Sequence, residues 1–285
     1  MVELDAIADL RRWLRGQRTA RRRVSLVPTM GFLHEGHLRL VDEARRRADT
    51  VVMSIFVNPL QFGGTEDFSR YPRDLDRDRA LAATRGVDLL FVPSTEIMYP
   101  PGAEIRVVPG PTADRWEGAA RPGHFTGVLT VVAKLFHLVE PEVACFGRKD
   151  VQQAVLINQM VRDLDWPVEV AVIPTVREPD GLALSSRNAY LDPEERRQAA
   201  ALSGALRAAH EAWRAGERSA SALEATMRAG LKVFPAVRVE YIAITEPRAL
   251  APVATVTADT IVALAARIGK ARLIDNIVLG DGLDP

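Results

Sequence analysis

The hydrophobic pattern changes period several times along the chain, and each change predicts an element. Val24-Ser25-Leu26-Val27 is a short apolar run that reads as a buried strand, and Leu38, Leu40, Val41 and Ala44 then recur at helical spacing. Thr50 to Val57 is continuously apolar and rich in β-branched residues, as suits a strand covered on both faces; it stops at Asn58-Pro59. A charged helix follows over Arg73 to Arg85, carrying Leu75, Ala80, Leu81 and Ala82 inward, and after Gly86 the stretch Val87 to Val92 is a strand. The alternation resumes with a helix over Phe125 to Val139, a strand over Val143 to Phe146, a helix over Val151 to Leu164 and a strand over Val168 to Ile173. Strands separated by helices at this spacing imply right-handed crossovers and a parallel α/β sheet. At the start, Leu4, Ile7, Leu10 and Leu14 fall at helical spacing with Glu3, Asp5 and Asp9 between them, which predicts an amphipathic surface helix.

The character of the chain changes around Pro174 to Asn188, where Pro, Gly, Ser and charged residues crowd together. Asp192-Pro193-Glu194-Glu195 is a helix start, with Asp as cap and Pro in the first turn. Alanine-rich helices fill Pro193 to Gly230, and Val237 to Ile244, Thr260 to Ala266 and Arg272 to Val278 read as a small antiparallel sheet. The expected division is residues 1–176 and 177–285, with no internal repeat or low-complexity tract.

A chain of 285 residues with 47% hydrophobic residues can build a large and a small domain. The 37 basic and 37 acidic residues balance, so the totals point to neither nucleic acid nor an anionic membrane. The arginines at 11, 12, 15, 18 and 21–23 are interleaved upstream with acids, unlike a transit peptide. No apolar segment approaches the roughly 20 residues that cross a bilayer, and no signal-peptide core follows Met1, so the expected compartment is the cytosol. Cys145 is single, which excludes an internal disulfide, and its apolar run makes it a small buried hydrophobe.

Chemistry concentrates at five places. In Val27-Pro28-Thr29-Met30-Gly31-Phe32-Leu33-His34-Glu35-Gly36-His37 two histidines open a helix directly after a strand. There the unpartnered N–H groups and the positive end of the helix dipole favour a phosphate, the histidines add donors, and Gly36 leaves the backbone open. A zinc site is disfavoured, because the second histidine comes one residue too early for the helical metalloprotease spacing and no further ligands cluster. Asn58 and Gln61 follow the next strand, at the carboxyl edge where α/β sheets bind ligands; their amides could read hydroxyl and carboxylate groups, or Asn-Pro could be a plain turn. Gly147-Arg148-Lys149-Asp150 closes another strand, and Lys149, one of only four lysines, can reach a phosphate as a point charge, with Gln153 one turn further on. Ser185-Ser186-Arg187 at the domain junction can clamp outer phosphates or be an ordinary polar loop. The acidic segment with Asp74, Asp76 and Asp78 is either a magnesium contributor or a solvated helix face.

Pro28-Thr29-Met30-Gly31, His34-Glu35-Gly36-His37, Asn58-Pro59-Leu60-Gln61-Phe62, Tyr71-Pro72-Arg73, Arg121-Pro122-Gly123-His124-Phe125, Phe146-Gly147-Arg148-Lys149-Asp150 and Leu184-Ser185-Ser186-Arg187-Asn188, in this order, resemble the pantothenate synthetase family over nearly the whole chain. The His-x-Gly-His element alone is shared across a nucleotidyltransferase superfamily. The resemblance implies a Rossmann-like ATP-binding domain, a smaller carboxy-terminal lid, a homodimer, and condensation of pantoate with β-alanine using ATP and Mg2+ through a pantoyl adenylate. It implies that His34, His37, Lys149, Ser185, Ser186 and Arg187 act on the phosphates. Met30, Gly36, Gly147, Asp150, Val176 and Leu184 would lie along the nucleotide, while Pro28, Thr29, Met30, Gln61 and Gln153 would hold pantoate. His124 would steady the neighbouring loop. The chain departs from the family pattern in having Arg148 where Glu is frequent, Val151 where an aromatic is frequent, and Leu184 where some members have Met. Two other readings compete: a nucleotidyltransferase for a phosphorylated substrate, which would call for more cations near Asn58 and Gln61, and an ATP-binding regulatory module without turnover. A tRNA synthetase is disfavoured, since neither an anticodon-binding extension nor a basic face is visible.

Overall fold

The structure, a computed structural model, describes residues 1–64 and 67–283. They form two compact units: Met1–Asp114, Gly118–Gly147 and Leu156–Ile173 make the first, while Arg115–Glu117, Arg148–Val155 and the chain from Pro174 onward make the second.

Six strands build the first unit: β1 (Val2–Leu4), β2 (Val24–Thr29), β3 (Thr50–Ile55), β4 (Leu89–Phe91), β5 (Val143–Gly147) and β6 (Glu169–Ile173). They lie in the order β1-β4-β3-β2-β5-β6 with every neighbouring pair parallel, a Rossmann-like sheet. Helices α1 (Ile7–Thr19), α2 (Glu35–Arg47), α3 (Leu75–Thr84), α4 (His124–Val139) and α5 (Val151–Asp163) connect them. The period of two along each strand explains why both faces are covered. Leu26, Val52, Leu89, Phe91 and Phe146 pack with Leu10 and Leu14 of α1 and with Leu129 and Phe136 of α4. Val27, Val51, Met53, Leu90 and Cys145 pack with Leu40, Val41 and Ala44 of α2. Cys145 is the small buried hydrophobe expected, its thiol pushed up to about 12 by burial.

The amino terminus corrects one expectation. Val2–Leu4 is not the first turn of a helix but a strand in register with Leu89–Phe91, and α1 begins at Ile7. Three residues are too few to display a strand period, and Leu4 fits the helical spacing by coincidence.

Chain order reverses between β2 and β5: β3 and β4 lie on one side of β2, β5 and β6 on the other. That reversal is where α/β sheets open a ligand crevice at the strands' carboxyl ends. Pairing of β2 with β5 covers Ser25↔Val143 and Leu26↔Ala144, whereas β2 follows β3 to Thr29; the ladder with β5 stops short of Pro28, which has no N–H to give.

In the second unit β7 (Val237–Thr245), β8 (Ile261–Ile268) and β9 (Ala271–Val278) form the expected antiparallel sheet. Helices α6 (Pro193–Ala199), α7 (Ala201–Arg214) and α8 (Ala220–Lys232) precede it, and Leu202, Leu206, Leu223 and Met227 pack against Ile244, Val262, Leu264 and Leu273. The start of α6 is a reciprocal cap: Asp192 accepts from the N–H groups of Glu194 and Glu195, and Glu195 accepts from that of Asp192. Among the described residues no helix is long and apolar enough to cross a membrane.

Candidate active site

The turn from β2 into α2 is built around the two histidines. His34 is the N-cap of α2 in extended backbone, and its Nδ1 accepts the Gly36 N–H at 3.2 Å. The His34 N–H in turn donates to His37 Nδ1 at 3.3 Å, and the ring centroids stand 4.1 Å apart. A ring nitrogen that accepts a backbone N–H carries no proton, so both neutral imidazoles hold theirs on Nε2. The Gly36 N–H is given to the His34 ring. Upstream, Thr29 Oγ1 donates to the Ser54 carbonyl at 2.8 Å and accepts from the Gly31 N–H at 3.2 Å, which fixes the exit from β2.

Asn58 and Gln61 turn out to differ in kind. Asn58 is buried and engaged at both ends: its Oδ1 accepts from the Leu60 N–H and the Tyr99 hydroxyl, and its Nδ2 donates to the Gly127 carbonyl and to Gln61 Oε1. The backbone partners can act in one sense only, so they fix the Asn58 amide, and Asn58 then fixes that of Gln61. Gln61 consequently aims its Nε2 donors at Met30, with Sδ 3.1 Å away. Asn58 thus orients the Gln61 amide, whereas the two looked equivalent in the sequence. His124 steadies this loop as expected, Nδ1 lying 2.8 Å from the Gln61 carbonyl and Nε2 3.1 Å from Arg121. Gly127 lets α4 press against it, since a Cβ there would stand 2.1 Å from the Leu60 carbonyl oxygen.

The acidic segment is divided among three tasks. Asp74 caps α3 through the Arg77 N–H, Asp76 is exposed and paired with Arg79, and Asp78 is buried with both oxygens taken by the N–H groups of Phe32 and Leu33. Burial pushes the Asp78 carboxyl up, and the two N–H groups pull it back. Asp78 is therefore neither on a solvated face nor disposed as a metal ligand, and among the described residues no group of three His, Cys, Asp or Glu side chains is arranged to hold a metal.

Of the candidate residues, the cations Lys149 and Arg187 lie in the second unit. Lys149 and Asp150 lie in a tight turn after β5, half-buried, and Asn276 of β9 donates through Nδ2 to the carbonyls of both Arg148 and Lys149 at 2.9 Å. Arg148 pairs with Asp281, so the cation that departs from the family pattern is compensated locally. Gln152 is buried, accepting from the Glu117 N–H and donating to the Arg115 carbonyl; Gln153 is the half-buried one of the two. Val176 and Leu184 flank a hairpin closed by Leu184 N–H to Val176 carbonyl and Glu178 N–H to Leu182 carbonyl, with Gly181 in the left-handed region at its tip. Arg177 in this hairpin forms a two-pronged pair with buried Asp275 at 2.6 and 3.0 Å, so that burial pushes the Asp275 carboxyl up and the guanidinium opposes it. Ser185 then caps the turn that bears Ser186 and Arg187, accepting from the Arg187 N–H.

The first unit thus holds Pro28, Thr29, Met30, His34, Gly36, His37, Gln61 and Gly147, and brings Met30 to Gln61 and His34 to His37. The second holds Lys149, Asp150, Gln153, Val176, Leu184, Ser185, Ser186 and Arg187. Sequence reasoning missed Asn276, Arg177 with Asp275, and Tyr99, whose partners lie far along the chain and leave no local signal.

A family model described as pantoate-beta-alanine ligase matches residues 3–278. A protein of Moorella thermoacetica called pantothenate synthetase is 51% identical over 279 residues, covering 98% of this chain and 99% of its own. One of Roseiflexus sp. with the same name is 55% identical over 254 residues, 89% of this chain and 91% of its own. The crystal structure of pantothenate synthetase from Thermus thermophilus superposes with a TM-score of 0.93 at 52% identity, covering 98% of this chain and 99% of that one. Pantoate-beta-alanine ligase from Francisella tularensis, complexed with beta-gamma ATP and beta-alanine, superposes with a TM-score of 0.80 at 34% identity over the full length of both chains.

Proposed function

The chain belongs to the pantoate–β-alanine ligase family, whose members form pantothenate from pantoate and β-alanine, and from that premise we propose that it activates pantoate with ATP through a pantoyl adenylate. In the first step a pantoate carboxylate oxygen attacks the α-phosphorus of ATP, the bond to the β-phosphate breaks, and pyrophosphate leaves with the electron pair. In the second, the neutral amine of β-alanine attacks the acyl carbon; the bond to AMP breaks and the nitrogen gives up a proton. The observation that carries this reading is the pair of imidazoles whose Nδ1 atoms accept backbone N–H groups at the carboxyl end of β2, where chain order reverses, which assigns their protons to Nε2. Neutral N–H donors held by backbone contacts stabilise charge developing on non-bridging oxygens without needing to reorganise. Lys149, Ser185, Ser186 and Arg187 add charge and hydroxyl donors to the phosphates, and Met30, Gly36, Gly147, Asp150, Val176 and Leu184 lie along the nucleotide. Pantoate is held by Gln61 through its Nε2 donors, by Gln153, and by Pro28, Thr29 and Met30. No protein nucleophile takes part.

Because the acidic residues after Tyr71 are spent on α3 and on the histidine turn, Mg2+ enters this reading only as the counter-ion that accompanies the triphosphate, with no protein ligand and no step assigned to it. The same reading carries a homodimer in the cytosol and a carboxy-terminal lid over residues 177–285. Exchange of labelled pyrophosphate into ATP, with pantoate present and β-alanine absent, tests the adenylate step. Pantoate-dependent exchange is expected; protein that binds ATP yet shows no exchange, and no burst of AMP when β-alanine is added, would overturn it.

A further inference from the structure

We propose that Asp78 is a positioning residue for the adenylation step: from α3 it holds the backbone of the Gly31-Phe32-Leu33 turn and thereby sets where the His34 and His37 imidazoles stand. The proposal rests on the role given above to the histidine pair.

Asp78 lies 45 residues beyond Leu33 and is 1% exposed, and each of its oxygens accepts one backbone N–H at 2.7 Å, Phe32 on Oδ2 and Leu33 on Oδ1. The backbone so held is an unusual one. Gly31 sits at φ +81° and Phe32 at φ +50°, both left-handed, and Phe32 is a bulky residue that seldom adopts this region. Two consecutive left-handed residues point successive N–H groups to one side, and a single carboxylate collects them. Gly31 permits the approach, for a Cβ there would stand 2.9 Å from Asp78 Oδ2 and from Ile55 Cγ2. The preceding residue of α3 adds a second hold: the Arg77 guanidinium lies 5.3 Å from the centre of the Phe32 ring. His34 follows Leu33 directly as the N-cap of α2, so a shift of the Leu33 peptide moves the first imidazole, and the His34 N–H bond to His37 Nδ1 passes the shift to the second. With both oxygens engaged, Asp78 itself touches neither the phosphates nor a metal in this role.

Asp78→Asn keeps the shape but turns one acceptor into an amide NH2 facing a backbone N–H. In pyrophosphate exchange the variant is expected to lose about 10–100-fold in kcat, the scale of an ångström-sized misplacement, while the KM for ATP changes less than about twofold. In a His37→Ala background the same substitution should cost less than about twofold, because its effect runs through that ring. A full, additive loss in the His37→Ala background, or wild-type kcat in Asp78→Asn, would overturn the proposal; so would a loss confined to the melting temperature. Should Asp78→Asn not fold, Gly31→Ala displaces the carboxylate from the other side with its charge intact and must reproduce the kcat loss. Imidazole 15N shifts of His34 and His37 in substrate-free protein separate this proposal from the reading of the reaction. If wild-type protein lacks exchange, the reaction fails, yet shifted imidazole signals in the variant still support Asp78 and unchanged ones refute it.

Discussion

The histidine turn of the first unit and the lysine turn of the second are built by opposite means. The imidazoles are set mostly by neighbours: His34, Gly36 and His37 satisfy one another within a single helical turn, and Asp78 adds its hold from the adjoining helix. Lys149 is set from the far end of the chain, with Asn276 reaching its carbonyl across a separation of 127 residues and the Arg177–Asp275 pair, 98 apart, fastening the hairpin that leads to Ser185. A cap forms together with its helix, whereas the lysine turn exists only once β9 has paired. Damage to the small sheet should therefore reach the cations and leave the histidines in place.

The sharpest way to break that contrast is Arg177→Met, which leaves Asp275 buried without its partner. Denaturant unfolding should show the second unit losing about 3–5 kcal/mol, with the histidine imidazole signals unmoved, and the loss should shrink in acid as Asp275 takes up a proton. Movement of the imidazole signals would mean the two turns are not independently built. Next comes His37→Ala, expected to lower pyrophosphate exchange by about 10²–10³, or about 2.7–4 kcal/mol, with the melting temperature kept; near-normal turnover would remove the histidine pair from the chemistry. Asn276→Ala strips a donor from two part-buried carbonyls and should cost about 1–3 kcal/mol of stability together with a fall in exchange rate, read by urea unfolding and kinetics on one preparation.

The smallest effect concerns the hairpin itself. The hydrogen bond from Arg196 holds the Asp180 carboxyl below the usual carboxylate range. Since the folded value is the lower one, the pair stabilises above the unfolded pKa of about 4 and loses that contribution as pH falls through the depressed folded value. Both side chains are partly exposed, so Arg196→Met should cost only about 0–1 kcal/mol near neutrality, and the gap in melting temperature from wild type should close in acid.

The alternation of strands and helices, the small carboxy-terminal sheet and the Asp192 cap were all legible, because each depends on residues that are neighbours in sequence. The three-residue β1 was not, for its identity rests on pairing with β4 rather than on its own pattern. The site divides in the same way. The histidines stood out through their junction between an apolar run and a helical stripe, yet the fate of the Gly36 N–H did not, because a ring nitrogen competes for it. Asn58 looked equivalent to Gln61 until the Gly127 carbonyl and the Tyr99 hydroxyl were seen to occupy it.

By itself, then, the sequence determined which segments other than β1 become strands and helices, where α2 and α6 begin, and that two histidines stand at the turn after β2, since these are consequences of periodicity and capping within a few residues. Only the tertiary structure decided the order β1-β4-β3-β2-β5-β6, the direction of the Asn58 and Gln61 amides, and the partners of Asp78 and Lys149. The reason is physical: an amide or carboxylate takes its orientation from backbone donors and acceptors that can act in one sense only, and here those groups arrive from strands and helices that meet only when the chain has folded.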